Sequence, residues 1–255
     1  MTRYGESHLL VSGPEGARPI VCLHPMRTGA PFLLSELSLL SENARLYVPD
    51  IPGQSVRGID KKFLLRDASY AYWLCDVLDS LELNSVGLFG VSWGGWIARM
   101  TASSFPERVD RMALLVPAGI VNGSHIKSML KMLFPLIRYK ISPTRANLKT
   151  LLGPILTTFD DEWLDFIETA MHDWQLDCRI PPLATDTQLS SLQVPTLAIA
   201  AEHDRSFPGQ LLIDRVSRTI PHAETELLCN CKHCPPTTDE FRSWLADRLA
   251  SFFVE

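Results

Sequence analysis

The stretch SVGLFGVSWGGWIARM, residues 85–100, decides how the rest of the chain is read. Its first half, from Val86 to Val91, is a continuous apolar run of strand length. Its second half opens a helix, running on past Met100, in which Gly94, Ala98 and Ala102 recur every four residues, so that one narrow face can approach a sheet closely. Between the halves lies Ser92 in the pattern Gly90-Val91-Ser92-Trp93-Gly94, with Gly95 behind it. A serine on a strand-to-helix turn needs small neighbours, because the reversal brings backbones together, and the turn lifts the hydroxyl clear of the sheet. The pattern alone is common by chance. Its position between an apolar strand and a helix makes it specific, and favours it over a glycine-rich turn carrying a solvated serine.

Working outward, the same alternation repeats. PIVCLHP (19–25), ARLYVPDIPG (44–53), RMALLVPAGI (111–120), VPTLAIAAEHD (194–204) and ETELLCN (224–230) contain short apolar runs that read as buried strands. Tyr70, Trp73, Leu74, Val77, Leu78 and Leu81 fall on one face of a helix between them, with Asp67 as its expected N-cap. Further helices are expected near 208–219 and over DEFRSWLADRLASFF (239–253). Continuous apolar strands alternating with helices predict an α/β fold, a mostly parallel sheet with helices on both faces. After Ile120 the rhythm changes. Residues 121–190 hold no convincing strand, but contain the Met- and Leu-rich SMLKMLFPLI (128–137) and the amphipathic DDEWLDFIETAMHDW (160–174). In the latter, Trp163, Phe166, Ile167, Ala170, Met171 and Trp174 share a face. The expected organisation is one core domain, residues 1–120 and 191–255, interrupted by a helical insertion at 121–190.

Composition narrows the function classes. The 255-residue chain is 46% hydrophobic and 21% charged, ordinary for a globular protein with a sizeable core. A net charge of −5 with no Lys/Arg-rich block argues against a nucleic-acid partner. No apolar run approaches the ~18 residues of a membrane span, and the N-terminal residues lack an apolar signal-peptide core. The six cysteines are too sparse for a disulfide scaffold. A cytoplasmic protein without a membrane partner is expected.

A nucleophilic serine needs a base, and the base an orienting acid. Asp204 stands where the strand TLAIAA ends, with Glu202 as the second candidate acid, and His233 follows the last strand in CNCKHCPP. Cys229, Cys231, Cys234 and His233 also suggest a metal knuckle, but a structural zinc site takes four ligands, usually as two separated pairs, and no second C-x-x-C is present. The expectation is therefore no metal. Cys229 is expected within the strand, and an imidazole neighbour would lower the thiol pKa of Cys231 or Cys234. The oxyanion requires two backbone N–H donors, expected from Trp93 and from the loop after PIVCLHP. Pro25 has no N–H, which leaves Met26.

With LHPMRTG, DIPGQS, FGVSWGGW, FPERVDRMALL, LQVPTLAIAAEHD and KHCPPTTDEFRSWL in place, the chain resembles the α/β-hydrolase superfamily over essentially its whole length, in particular its small cap-bearing, carboxylesterase-like members. The resemblance implies Ser92 as nucleophile, Asp204 as acid, His233 as base, Met26 and Trp93 as oxyanion donors, and residues 121–190 as a cap. His24-Pro25 stands where the family usually has His-Gly, and Lys232 where it usually has Gly before the histidine. The Lys232 ammonium is expected to point to water. The implied activity is cleavage of a small to medium ester through an acyl-enzyme, without cofactor, in a monomer or homodimer. Proline iminopeptidase-like cleavage, C–C bond hydrolysis on the same triad, and non-hydrolytic ligand binding or biosynthesis remain alternatives. Substrate contacts are expected from His24, Trp93, Met129, Phe134, Trp163 and Phe166, although an amphipathic stripe is first a packing device.

Overall fold

The computed structural model describes residues 1–55, 57–123, 125–173 and 179–254, with side chains undescribed at 125–132, 170–173 and 254. Among the described residues seven strands form one sheet: β1 (Leu9–Ser12), β2 (Pro19–Leu23), β3 (Arg45–Pro49), β4 (Val86–Val91), β5 (Val109–Leu115), β6 (Thr196–Ala201) and β7 (Glu224–Leu228). Their spatial order is β1-β3-β2-β4-β5-β6-β7. β1 is antiparallel to β3, and every other pairing is parallel. The serine-bearing β4 is thus central, between β2 and β5.

Helices α1 (Ala30–Glu36), α2 (Ser69–Ser80), α3 (Trp93–Ser104), α4 (His125–Ile141), α5 (Arg145–Leu152), α6 (Asp161–Asp173), α7 (Asp186–Ser190), α8 (Gly209–Thr219) and α9 (Asp239–Val254) complete the chain. Strand side chains alternate between two apolar layers, as the period of a pleated strand requires. Val21, Leu23, Leu88 and Leu114 face the α2, α3 and α8 side, with Tyr70, Trp73, Trp96 and Leu212. Ile20, Cys22, Phe89 and Ala113 face the other, with Leu33, Leu249 and Phe253 from α1 and α9. Each fully buried large side chain contributes about 2–3 kcal/mol, so this two-sided core outweighs any local propensity.

Between β5 and β6, helices α4, α5 and α6 bury a small cluster of their own: Tyr139, Leu148, Leu151, Leu152 and Leu164. Ala184 and Leu189, at and after the end of this excursion, already pack in the main core. Among the described residues no helix is long and apolar enough to cross a membrane.

Several local readings change. LLVS (β1) and the helix α1 carry no strong periodic signal: one is a four-residue edge strand and the other a seven-residue helix. β7 stops at Leu228, so Cys229 lies outside the strand and is exposed. There Asn230 adopts φ 55° and its N–H is held at 2.7 Å by Glu202 Oε2, which turns the chain. Helix α2 starts at Ser69, and Asp67 accepts the Ser69 N–H at 2.9 Å.

Candidate active site

Three glycines explain why the turn at Ser92 has its sequence. A Cβ on Gly90 would stand 2.6 Å from the Gly94 carbonyl oxygen, and one on Gly95 would stand 2.9 Å from Pro117. A Cβ on Gly94 would come within 2.1 Å of the Leu23 carbonyl oxygen on β2. Only hydrogen fits at these places, so α3 can lie against the sheet directly after the turn. Ser92 itself is held at φ 50°, ψ −107°, a conformation an L-residue adopts under constraint. Its N–H donates to Leu115 O at 2.9 Å and its carbonyl accepts from Ala118 N–H at 3.0 Å, which ties the strained residue to the end of β5.

Asp204 and His233 reach the same place from the ends of β6 and β7. The Asp204 side chain is buried, and its Oδ1 accepts the N–H groups of Ser206 and Phe207 at 2.7 and 3.0 Å. This leaves Oδ2 to take His233 Nδ1 at 2.7 Å. Because a carboxylate only accepts, Nδ1 carries the proton and Nε2 is free to accept from Ser92 Oγ, 3.1 Å away. Phe207 lies edge-on to the imidazole, with ring centroids 5.3 Å apart. Glu202, the second candidate acid, is exposed and occupied with the Asn230 N–H.

Two backbone N–H donors for an oxyanion are expected from the sequence, at Met26 and Trp93. Among the described residues, neither the Met26 nor the Trp93 N–H has a protein acceptor. His24 shapes the loop that carries Met26. Its Nε2 accepts the Ile51 N–H at 2.9 Å, and its Nδ1 donates to Pro25 O at 2.9 Å. The ring is fully buried, and desolvation lowers its pKa. His24 is therefore not available as a substrate contact, contrary to the sequence reading, because both ring nitrogens are spent on backbone.

The other expected contacts separate. The Trp93 ring is enclosed edge-to-face by Tyr70 and Trp96, with Nε1 donating to Arg179 O at 3.3 Å. Trp163 packs against Phe32 in a tilted contact with centroids 3.6 Å apart and donates Nε1–H to Glu36 Oε1 at 3.0 Å, and the Phe166 ring centroid lies 6.0 Å from that of Phe32. These residues dock α6 onto α1, the helix that follows the Met26 loop. Phe134 is 72% exposed and turned to solvent, so its expected substrate contact is not made. The side chains of Met129, Ala170 and Met171, and all of Trp174, lie outside the described residues.

The histidine loop is held by a set of bonds the sequence did not announce. Thr157 Oγ1 accepts the Lys232 N–H at 2.9 Å and donates to Cys234 O at 2.7 Å. Cys234 N–H donates to Ile155 O, and Thr157 N–H to Cys234 O. Lys232 does not point to water: its ammonium donates to Gly153 O at 2.8 Å and Leu156 O at 3.1 Å, just beyond the C-terminal end of α5. Carbonyls left over at a helix end attract a cation. No grouping of His, Cys, Asp and Glu among the described residues is arranged to hold a metal. Burial pushes the Cys234 thiol up to about 12 and raises that of Cys231, so the lowered thiol pKa expected from the sequence is corrected.

The family model for the alpha/beta hydrolase fold matches residues 19–239. The chain belongs to that family. It is 26% identical to an uncharacterized carboxylesterase, nap, of Bacillus subtilis, covering 99% of this chain and 84% of the relative. It is 28% identical to carboxylesterase YbfK of the same organism, covering 91% of this chain and 79% of that one. The crystal structure of naproxen esterase (carboxylesterase NP) from Bacillus subtilis superposes with a TM-score of 0.83 at 26% identity, over 99% of this chain and 89% of the other. In this hydrolase, as the family's fold requires, the serine turn, the acid and the histidine stand at the C-terminal ends of parallel strands.

Proposed function

We propose that the chain is a serine carboxylesterase that cleaves small to medium esters through an acyl-enzyme. The observation that carries this reading is the hydrogen-bonded line from Ser92 Oγ through His233 to the buried Asp204, at 3.1 and 2.7 Å. Ser92 Oγ attacks the ester carbonyl while His233 Nε2 takes its proton. Asp204 holds the imidazole by Nδ1–H and stabilises the imidazolium. The developing oxyanion is received by the N–H groups of Met26 and Trp93. His233 then protonates the leaving alcohol, and activates the water that releases the acid. The named carboxylesterase relatives support the same bond type.

Residues 121–190 serve in this reading as a cap, joined to the catalytic loop through Thr157 and Lys232. A peptidase acting next to proline would want an acidic cluster to bind the substrate amine, for which Asp160, Asp161 and Glu162 stand together in the sequence. Asp160 instead accepts the Trp163 N–H at 3.1 Å, and Asp161 pairs with Lys149 at 3.6 Å. Both are engaged at the N-terminus of α6, which favours ester over amine-bearing substrates. The test is hydrolysis of p-nitrophenyl esters from acetate to octanoate by the wild type and by Ser92→Ala. Turnover that vanishes in the variant supports the reading, and equal rates in both proteins sink it.

A further inference from the structure

Helix α4 exposes what a soluble helix normally buries. Leu133 is 50% exposed, Phe134 72%, Ile137 46% and Ile141 80%. At 100° per residue these four positions fall within one sector of the helix about 100° wide. The opposite side is the buried one, where Tyr139 packs in the small cluster and Leu136 leans against it. The helix sequence HIKSMLKMLFPLIRYKI carries Lys127, Lys131, Arg138 and Lys140 and no carboxylate, in a chain of net charge −5. On the helical wheel, positions 127, 131 and 138 border the apolar sector on one side, and position 140 borders it on the other. Arg138 and Lys140 are exposed, and neither forms an ion pair among the described residues.

An exposed apolar stripe between two cationic borders matches one environment well. The stripe enters the acyl boundary of a lipid surface while the flanking ammonium and guanidinium groups reach anionic headgroups. A second copy of the chain fits less well, because pairing α4 with itself would set cations against cations with no carboxylate on the helix to answer them. We infer that α4 is an interfacial docking helix, by which the protein sits on an anionic lipid surface. The occupied surface belongs to residues 121–190, the same segment whose Thr157 and Lys232 contacts hold the His233 loop. In the proposed esterase, docking would therefore draw substrate from a lipid-like phase. The docking step itself does not depend on hydrolysis.

The experiment uses the full chain carrying Ser92→Ala, so that no lipid is cleaved, with vesicles of phosphatidylcholine mixed with phosphatidylglycerol and vesicles of phosphatidylcholine alone. The expected result is flotation with the anionic vesicles, weakened by salt, and at least about tenfold weaker with the neutral ones, since each cation near the surface is worth about fivefold. Ile137→Glu with Ile141→Glu should abolish flotation, while the same pair in the Ser92 background leaves hydrolysis of a water-soluble acetate ester unchanged. Arg138→Gln with Lys140→Gln keeps the stripe and should reduce the preference for anionic vesicles by about fivefold for each cation removed. Absence of flotation, equal flotation of the Ile137→Glu/Ile141→Glu variant, or equal binding to both vesicle types overturns the inference. A concentration-dependent dimer abolished by the Glu pair also overturns it, by making the stripe a contact between copies.

Discussion

Ser92 and His233 stand 3.1 Å apart and are held there by unlike means. Ser92 is fixed by the core. Backbone of β2 closes on Gly94, Pro117 closes on Gly95, and the C-terminal end of β5 and the turn after it hold the strained residue by two bonds. His233 follows β7 on a loop with an exposed turn at Cys229 and Asn230, and its neighbours 232 and 234 are bonded to residues 153–157 of the insertion. The proposed nucleophile is thus placed by steric exclusion within the sheet, and the proposed base by hydrogen bonds from outside it. The first arrangement tolerates nothing larger than hydrogen. The second can be loosened by degrees, and it couples the position of the base to whatever moves the helical segment.

The largest expected effect falls on the chemistry both regions share. Asp204→Asn should leave the fold intact, because the Ser206 and Phe207 N–H groups retain an acceptor, yet lower kcat by about 10⁴ through the wrong imidazole tautomer. Circular dichroism beside ester kinetics checks both halves of that statement. A variant that keeps its rate would remove Asp204 from the site.

Next comes the contrast itself. Gly94→Ala drives a methyl carbon into the Leu23 carbonyl. It should cost about 3 kcal/mol or more in urea unfolding, since a well-packed core resists overpacking and backbone has little room to yield. Thr157→Val keeps the volume and removes the hydroxyl that serves both Lys232 and Cys234. It should destabilise the protein by only about 1–3 kcal/mol, the cost of unsatisfied partners. Its kcat should fall by roughly tenfold with KM nearly unchanged, because a base displaced by a fraction of an ångström loses near-attack geometry. A Thr157→Val enzyme with full kcat would break the comparison, showing that β7 alone positions His233. Thr157→Ser, which restores the hydroxyl, should restore the rate.

These regions also differ in how openly the sequence displayed them. Glycine at 90, 94 and 95 is a local signal, since the need for small residues is created within the same few residues that satisfy it. The buried face of α2 was legible for a similar reason, through periodicity. Thr157 gave no sign. Its partners lie 75 and 77 residues away, and a threonine after a helix has ordinary local uses. Trp163 was visible as part of an amphipathic stripe, but periodicity gives a face and not its partner. Phe32 and Glu36 supply that partner from a helix too short to read. Lys232 was misread because its acceptors, carbonyls beyond the end of α5, exist only once the insertion has folded against the loop.

The smallest expected effect concerns the loop that carries Met26 and its pH dependence. Burial lowers the pKa of His24 in the folded protein below the value of about 6.5 it has when unfolded. The unfolded chain then binds the extra proton, so the stabilising contribution is complete above that pH and is lost as pH falls below it toward the folded pKa. Urea midpoints between pH 7.5 and 5.5 should fall for the wild type, and less for His24→Gln. Equal slopes would mean that the imidazole is protonated in place, and that its bond from the Ile51 N–H does not hold.

The most direct measurement is the reaction of the protein with a fluorophosphonate ester, followed by intact mass and peptide mapping. Such a reagent needs both an activated serine and N–H donors for the phosphoryl oxygen. The expected result is one phosphonyl adduct per chain, on Ser92, formed far more slowly in Asp204→Asn and not at all in Ser92→Ala. An unmodified wild-type protein, or an adduct mapped to another residue, would contradict the assignment of Ser92, His233 and Asp204 as the working centre of this hydrolase.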